Sequence, residues 1–460
     1  MRQGPYTDTP GGVVSDTVGH PLAQARMLHH WSQNALAARV RAAGRHHGIP
    51  IATSKKTIAR WEHDQVPDEP AQQLLAAVFD VDDDVRAQTP WPLWLPAPDL
   101  PELCRPWTAA GTVEALADAL RSGHMDRRTF VVLSGVTLTT LLHDWLTAEP
   151  DIAHAATTDG RRVPGSMVDR IANRISDLQH DDDTHGGGDL IIEAQAHLAL
   201  VHRLLDHGTY TQAQGTRLHA QAADLARMCG WMAFDTGRHA ASQRYFAAAL
   251  HAAHTSGDHL LGANVLAFAA VQHYSAGNPL DADAMVRTAQ ASVRGRSTPT
   301  VDAMLAARQG RALAKAGDAR GCYHALNRAT DLLDQGPSDD DPTWAYWVER
   351  PEIDMLTGSC MLDLGDPAAA QTKFREADAA YGPEYVRTHV LYLTRMATAQ
   401  LQQHELDAAC ASAHQALDLA ADLNSGRGAD HVRDFATYLA PHRSTQPARD
   451  FLERVRTLAA

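Results

Sequence analysis

Residues 231–253, WMAFDTGRHAASQRYFAAALHAA, read as one helix running into a turn at Gly237 and a second helix leaving it. Apolar residues recur at i, i+4 and i+7 on both sides of the glycine, and the alanines among them leave room for the two helices to lie close together. The same arrangement returns at 268–292 (FAAVQHYSAGNPLDADAMVRTAQAS), 308–333, 359–381 and 395–420. The turn residues are Gly237, Gly277, Gly317, Gly365 and His404, at intervals of 40, 40, 48 and 39 residues. A lone helical hairpin cannot cover its own apolar face, so repeated hairpins must stack on one another. We therefore expect an all-α chain in which residues 106–460 form a curved α-solenoid; a generic helical bundle is the alternative.

The cadence is near the 34-residue period of tetratricopeptide (TPR) arrays, lengthened by loops. The chain has 460 residues, 44% hydrophobic and 6% aromatic, enough for at least two cores. It contains no apolar run of about 18 residues of the kind that crosses a bilayer. The opening MRQGPYTDTPGG lacks the apolar core of a secretion signal, so a cytoplasmic location with no membrane partner is expected. Cys104, Cys229, Cys322, Cys360 and Cys410 are far apart and read as reduced core thiols.

The net charge of -14 hides an asymmetry. Between His20 and His63 stand Arg26, Arg39, Arg41, Arg45, Lys55, Lys56 and Arg60 against Glu62 alone, a balance of +6 that leaves -20 for the remainder. A compact basic segment beside an acidic body is the footprint of local nucleic-acid contact. Residues 1–18 read as a flexible arm, 19–83 as four short helices, and 84–105, with its TPWPLWLPAPDLPE run, as a stiff linker. Pro21 opens the first helix, which ends near Trp31. Ser32 caps the second, Thr53 or Ser54 caps a third (KKTIARWEH), and Leu74, Leu75, Val78 and Phe79 give the fourth its core stripe.

The runs WSQNALA (31–37) and TSKKTIARWE (53–62), followed by LLAAVFDV (74–81), resemble the Cro/Xre-type helix-turn-helix family. The resemblance implies a double-stranded DNA partner. Gln33, at a helix start, would offer its amide to a phosphate, and Ser54, Lys55, Lys56, Thr57 and Arg60 would face the major groove from the third helix. The spacing departs from the family. Ala37 and Ile58 are 21 residues apart where about ten are usual, so VRAAGRHHGIPI must lengthen the second helix or form a loop. Almost the whole chain is similar to large regulators of high-GC bacteria that join this domain to a TPR-like body. The likeness rests on PWTAAGTVEAL (106–116), MDRRTF (125–130), GRHAASQRYFAAALHAAH (237–254) and DPTWAYWVE (341–349). It implies a transcriptional regulator. We expect a homodimer reading two half-sites, with a peptide or small-molecule effector or a protein partner on the TPR-like groove. The competing expectation is a TPR scaffold acting through protein contacts alone.

No nucleophile, base or phosphate-cradling constellation argues for an enzyme, and no cofactor is implied. The 26 histidines include His29-His30 and His46-His47 but no metal-ligand spacing, so no metal is expected. Arg127-Arg128-Thr129-Phe130, which resembles an export signal, is read as leading into a buried helix. His185-Gly186-Gly187-Gly188 is read as a flexible turn after the acidic run Asp181–Asp183. Trp344, Tyr346 and Trp347, with Tyr323 and Tyr381, read first as core filling the 48-residue interval, and alternatively as anchors on a concave binding face.

Overall fold

The structure is a computed structural model that describes residues 21–29, 31–62, 65–83, 86, 91–92, 94–95, 105–122, 135–149, 151, 160–380, 382, 385–420 and 426–458. Tyr381, Cys104 and the Arg127–Phe130 run lie outside them. The chain divides into two compact units, Met1–Pro98 and Asp99–Ala460, parting within the proline-rich stretch.

The first unit holds α1 (Pro21–Leu28), α2 (Gln33–His47), α3 (Lys55–Trp61) and α4 (Glu69–Phe79). Ser32 and Asp68 cap α2 and α4, and Ser54, not Thr53, caps α3 in a reciprocal box with Thr57. The long interval before Ile58 is taken up mainly by α2, which continues to His47 before Gly48 turns the chain in the left-handed region at φ 68°. Leu22, Leu36, Val40, Ile58, Trp61, Leu74, Leu75 and Phe79 close one core. Val78 is only half-buried beside it.

In the second unit, α5 (Ala109–Ser122), α6 (Gly135–Thr147), α7 (Gly165–His185) and α8 (Gly187–His207) precede six hairpins. These are α9/α10 (Gln212–Asp235, His239–Ser256), α11/α12 (His259–Ala276, Pro279–Ser292) and α13/α14 (Pro299–Lys315, Ala319–Leu333). They continue as α15/α16 (Arg350–Asp363, Pro367–Ala380), α17/α18 (Val386–Gln402, Leu406–Ala420) and α19/α20 (Gly426–Leu439, Gln446–Leu458). The first helix of each hairpin packs on its own partner and on the first helix of the next, giving an all-α, TPR-like solenoid. Arg161–Arg162 and Gly208–Thr209 add one parallel two-residue pairing that helical periodicity does not announce.

The five turn residues read from the sequence all fall between the helices of a hairpin. Gly237, Gly317 and Gly365 hold φ of 76–84° there, and His404 occupies the same region at φ 64° without a glycine's freedom. Seven residues before three of these turns stand Gly230, Gly310 and Gly358. A Cβ at each would come within 2.9 Å of Phe246, Leu326 and Phe374 on the partner helix. That repeated close approach sets the spacing within the hairpins.

Candidate functional site

Counting back from the turns also locates the inner face of the array. A helix advances about 100° per residue, so position nine before the turn lies nearly opposite the position-seven glycine and position six lies beside position nine, both turned away from the partner helix. These positions are Met228 and Trp231, Phe268 and Val271, Arg308 and Arg311, Leu356 and Ser359, and, in the fifth hairpin, Arg395. All of them line one chamber, a solvent-open cavity of about 140 Å³ bounded by the first helices of the six hairpins, the end of α7 and the 343–347 stretch.

The lining is rich in cations and aromatic rings. It includes Arg227, Arg308, Arg311, Arg387, Arg395 and Arg427 against the carboxylates Asp182, Asp183 and Glu352, an excess of three positive charges. The guanidinium carbons stack on ring faces: Arg227 on Phe268 at 4.6 Å, Arg308 on Trp347 at 5.2 Å, Arg387 on Trp231 at 5.2 Å and Arg427 on the same indole at 5.0 Å. Such stacking holds a guanidinium by its face and leaves its N–H edges for hydrogen bonding.

The three lining carboxylates are already engaged. Asp182 accepts hydrogen bonds from Arg387 Nη1 at 2.5 Å and Trp231 Nε1 at 3.2 Å. Asp183 accepts from Tyr346 Oη at 2.5 Å and Arg387 Nη2 at 3.4 Å, and Glu352 lies 3.5 Å from Arg308. Burial pushes the Asp183 carboxyl up, and Arg387 and Tyr346 oppose it. The end of α7 is thus a strap bound to α17 more than 200 residues later in the chain. The acidic run expected to lead into a flexible turn belongs to α7. Asp182 is 7% exposed, and Gly187 sits so close to Met232 that a Cβ there would lie 2.7 Å from its Cγ.

Deeper in, Arg311 and Lys315 share Asp363 at 2.5 and 3.1 Å. Burial alone would raise the Asp363 carboxyl, but Arg311, Arg395 and Lys315 outweigh it and hold the group well below the usual carboxylate range. Arg395 and Arg427 make no ion pair among the described residues, and Arg427 Nη1 is buried without a hydrogen-bond acceptor. His431 beside them is held well below the ordinary histidine range by burial and by Arg395, Arg427, Lys315 and Arg311, so it stays neutral near pH 7.

The aromatic reading shifts accordingly. Trp344 is buried and joins the main apolar cluster, as expected of core, yet Trp344, Tyr346 and Trp347 all line the chamber. Tyr323 lies on the exposed face of α14, away from it. The arginines were missed because no local motif marks them; the turn register was their only signal.

The residues singled out for DNA lie in the first unit. Lys55, Lys56 and Arg60 are exposed on α3 and make no ion pair with a described residue, while Ile58 and Trp61 are buried. Ser54 and Thr57 spend their hydroxyls on the capping box. Gln33 donates to Glu62 Oε2 at 2.6 Å, and Glu62 also takes Arg26 Nε at 2.5 Å, so the acid of the basic segment clamps α1, α2 and α3 together. Arg39 lies over the Trp31 ring at 4.1 Å. Among the described residues no group of three or more His, Cys, Asp or Glu side chains could hold a metal ion, and no helix is long and apolar enough to cross a membrane.

Residues 22–82 match a family model described as the SP15 N-terminal domain. No curated protein matches the chain. Among solved structures, the chain is similar to a Rap protein complexed with competence and sporulation factor, at 11% identity and a TM-score of 0.41, covering 64% of this chain and 98% of that one. It is also similar to a signal transduction ATPase with numerous domains and a tetratricopeptide repeat sensor from Pyrococcus horikoshii. There the identity is 11% and the TM-score 0.34, over 93% of this chain and 69% of that one.

Proposed function

We propose that the chain is a non-catalytic binding protein whose TPR-like array receives an effector or partner segment in its inner chamber. The observation that carries this reading is the lining itself: six arginines, most of them stacked on aromatic faces, and several indole and phenol rings, facing carboxylates that already have partners. Concave sites that mix apolar walls with a few convergent polar groups are where proteins take ligands. The test is native mass spectrometry of the intact chain purified from cells. We expect a bound mass that disappears in Arg427→Ala with the fold retained; a chain that is always empty, at every expression condition and in its natural host, sinks the reading.

A second activity is favoured by α3. Lys55, Lys56 and Arg60 are exposed on a helix whose Ile58 and Trp61 are anchored in the core, and Glu62 fixes its orientation through Arg26 and Gln33. That is the presentation a major-groove reader requires, so in this reading the first unit binds duplex DNA as a dimer over half-sites about 34 Å apart and regulates transcription. Gln33 then serves α3 as a brace, with its remaining N–H for a phosphate. Selection of bound duplexes should give a defined site. Affinity should fall with log salt at a slope of about 0.9 per phosphate contacted, and Lys55→Ala, Lys56→Ala and Arg60→Ala should each lose about 1–3 kcal/mol where they read a base. Salt-independent association, or three variants with unchanged selection, leaves only the scaffold reading.

A further inference from the structure

We propose that the chamber takes a small organic anion, a planar ring bearing a carboxylate or phosphate, with Arg395 and Arg427 receiving the acidic head and the Trp231, Phe268, Trp347 side of the chamber receiving the ring. This rests on the reading of the chamber as a binding site and names its ligand class.

Charge decides the sign of the ligand. Asp182, Asp183 and Glu352 each have a cationic or hydroxyl donor within 3.5 Å; Asp182 Oδ1 is without a donor but is buried, and six arginines against three carboxylates leave the lining positive. The cations are in the opposite condition. Arg311 and Lys315 divide one carboxylate between them, and Arg395 and Arg427, on α17 and α19, have none in ion-pair contact among the described residues, Asp363 and the buried Asp235 acting on them only through longer-range attraction. Arg427 Nη1 is buried without an acceptor, and a guanidinium edge taken from water in that state is destabilising until an anion arrives. Consistent with that, burial and neighbouring Arg311 push Arg395 down to about 10, and burial lowers Arg427 as well. The neutral His431 adds a ring nitrogen at the same place without adding charge.

Size and surface decide the rest. The cavity measures about 140 Å³ for the centre of a water-sized sphere, against roughly 10–15 Å³ for a single water, which is room for a compact ring with its acidic substituent and more than a phosphate ion needs. The strap at Asp182–Asp183 and the 343–347 stretch bound the chamber. Arg427 is already stacked on Trp231 and, at 4.9 Å, over Phe234. Its edge is therefore presented beside an indole wall, the geometry that pairs a ring with an acidic substituent. The body carries a strong negative charge, so an anion is drawn to this chamber and to little else on it.

The experiment is isothermal calorimetry with hydrogen exchange on the full chain, using one ring with different heads: 1-naphthyl phosphate, 1-naphthoate, 1-naphthalenemethanol and 1-naphthylmethylamine. Inorganic phosphate and an acidic tetrapeptide complete the set. We expect one site for the phosphate or the carboxylate, the stronger of them identifying the head, with slowed exchange in α13, α17 and α19. Arg395→Gln and Arg427→Gln should each weaken it about tenfold or more, while Arg375→Gln on the outer helix α16 should not. Equal or tighter binding of the amine or the alcohol overturns the anion assignment and leaves the chamber reading standing. So does a tetrapeptide that binds a hundredfold tighter than either naphthyl anion, which assigns the chamber to peptides. Inorganic phosphate as tight as naphthyl phosphate removes the ring. Absence of binding by all six probes overturns the inference, while the chamber reading stands or falls on the bound mass in the native spectrum.

Discussion

Replacing Arg387 by methionine keeps most of the side-chain length and removes the charge that holds the α7 strap to α17. Arg387 and Asp182 are 8% and 9% exposed at their side chains and are joined at 2.5 Å, with Asp183 at 3.4 Å. Breaking a buried pair by removing one partner typically costs about 3–5 kcal/mol, because the other charge is left desolvated. Here Asp182 keeps the Trp231 N–H and Asp183 keeps the Tyr346 hydroxyl, which places the loss near the lower end, about 3 kcal/mol. In native-state hydrogen exchange that amounts to roughly a hundredfold faster opening of the last two turns of α7 and the first turn of α17, with the first unit unaffected. Adding Asp182→Asn and Asp183→Asn removes the stranded charges and should restore at least half of the loss. Exchange within a factor of two of wild type in Arg387→Met would show that apolar packing, and not the ion pair, fastens the strap.

Asp363 makes the array acid-sensitive. Its carboxyl lies below the ordinary range in the folded chain because Arg311, Arg395 and Lys315 outweigh its burial. The stability it contributes is therefore full above the unfolded value near 3.9 and is lost as pH falls from about 5 toward the folded value. Asp363→Asn should be less stable at pH 7 by about 2–4 kcal/mol and should flatten the acid limb of a urea-midpoint-against-pH curve; an unchanged acid limb excludes the mechanism. At the fifth hairpin turn, His404→Gly removes a left-handed strain at φ 64° and should stabilise by about 1 kcal/mol in denaturant melts; a loss instead would mean that the imidazole makes a compensating contact. Gly358→Ala places a Cβ 2.9 Å from the Phe374 ring. It should lose about 1–2 kcal/mol after the helix-propensity gain, against a gain of about 1 kcal/mol if the helices simply part.

The periodic features were legible because their causes are local. Ser32, Ser54 and the hairpin turns announce themselves through capping oxygens and breaks in helical spacing. Five turn positions, once found, even contain the chamber, since counting back nine residues lands on Met228, Phe268, Arg308, Leu356 and Arg395. What could not be read was which arginines would lack a partner. Arg387 makes a direct ion pair with Asp182 across 205 positions while Arg395, eight residues further along the same helix, makes no such contact with a described residue and acts on Asp363 only at longer range, and no local pattern separates them. Glu62 is a similar case. It reads as the acid that dilutes a basic helix, yet it is nearly buried and holds Arg26 and Gln33 in place.

By itself the order of residues determined that the chain is helical, that its hairpins repeat at about 40-residue intervals, and that its positive charge gathers near the start. Those properties follow from backbone capping, side-chain spacing and composition, all of which act over a few residues. Tertiary structure alone decided that the acidic end of α7 would bind Arg387 and that aromatic and cationic side chains from five of the six hairpins would share one cavity. The reason is that pairing and desolvation depend on which distant side chains arrive at the same place, and only the stacked array brings them there.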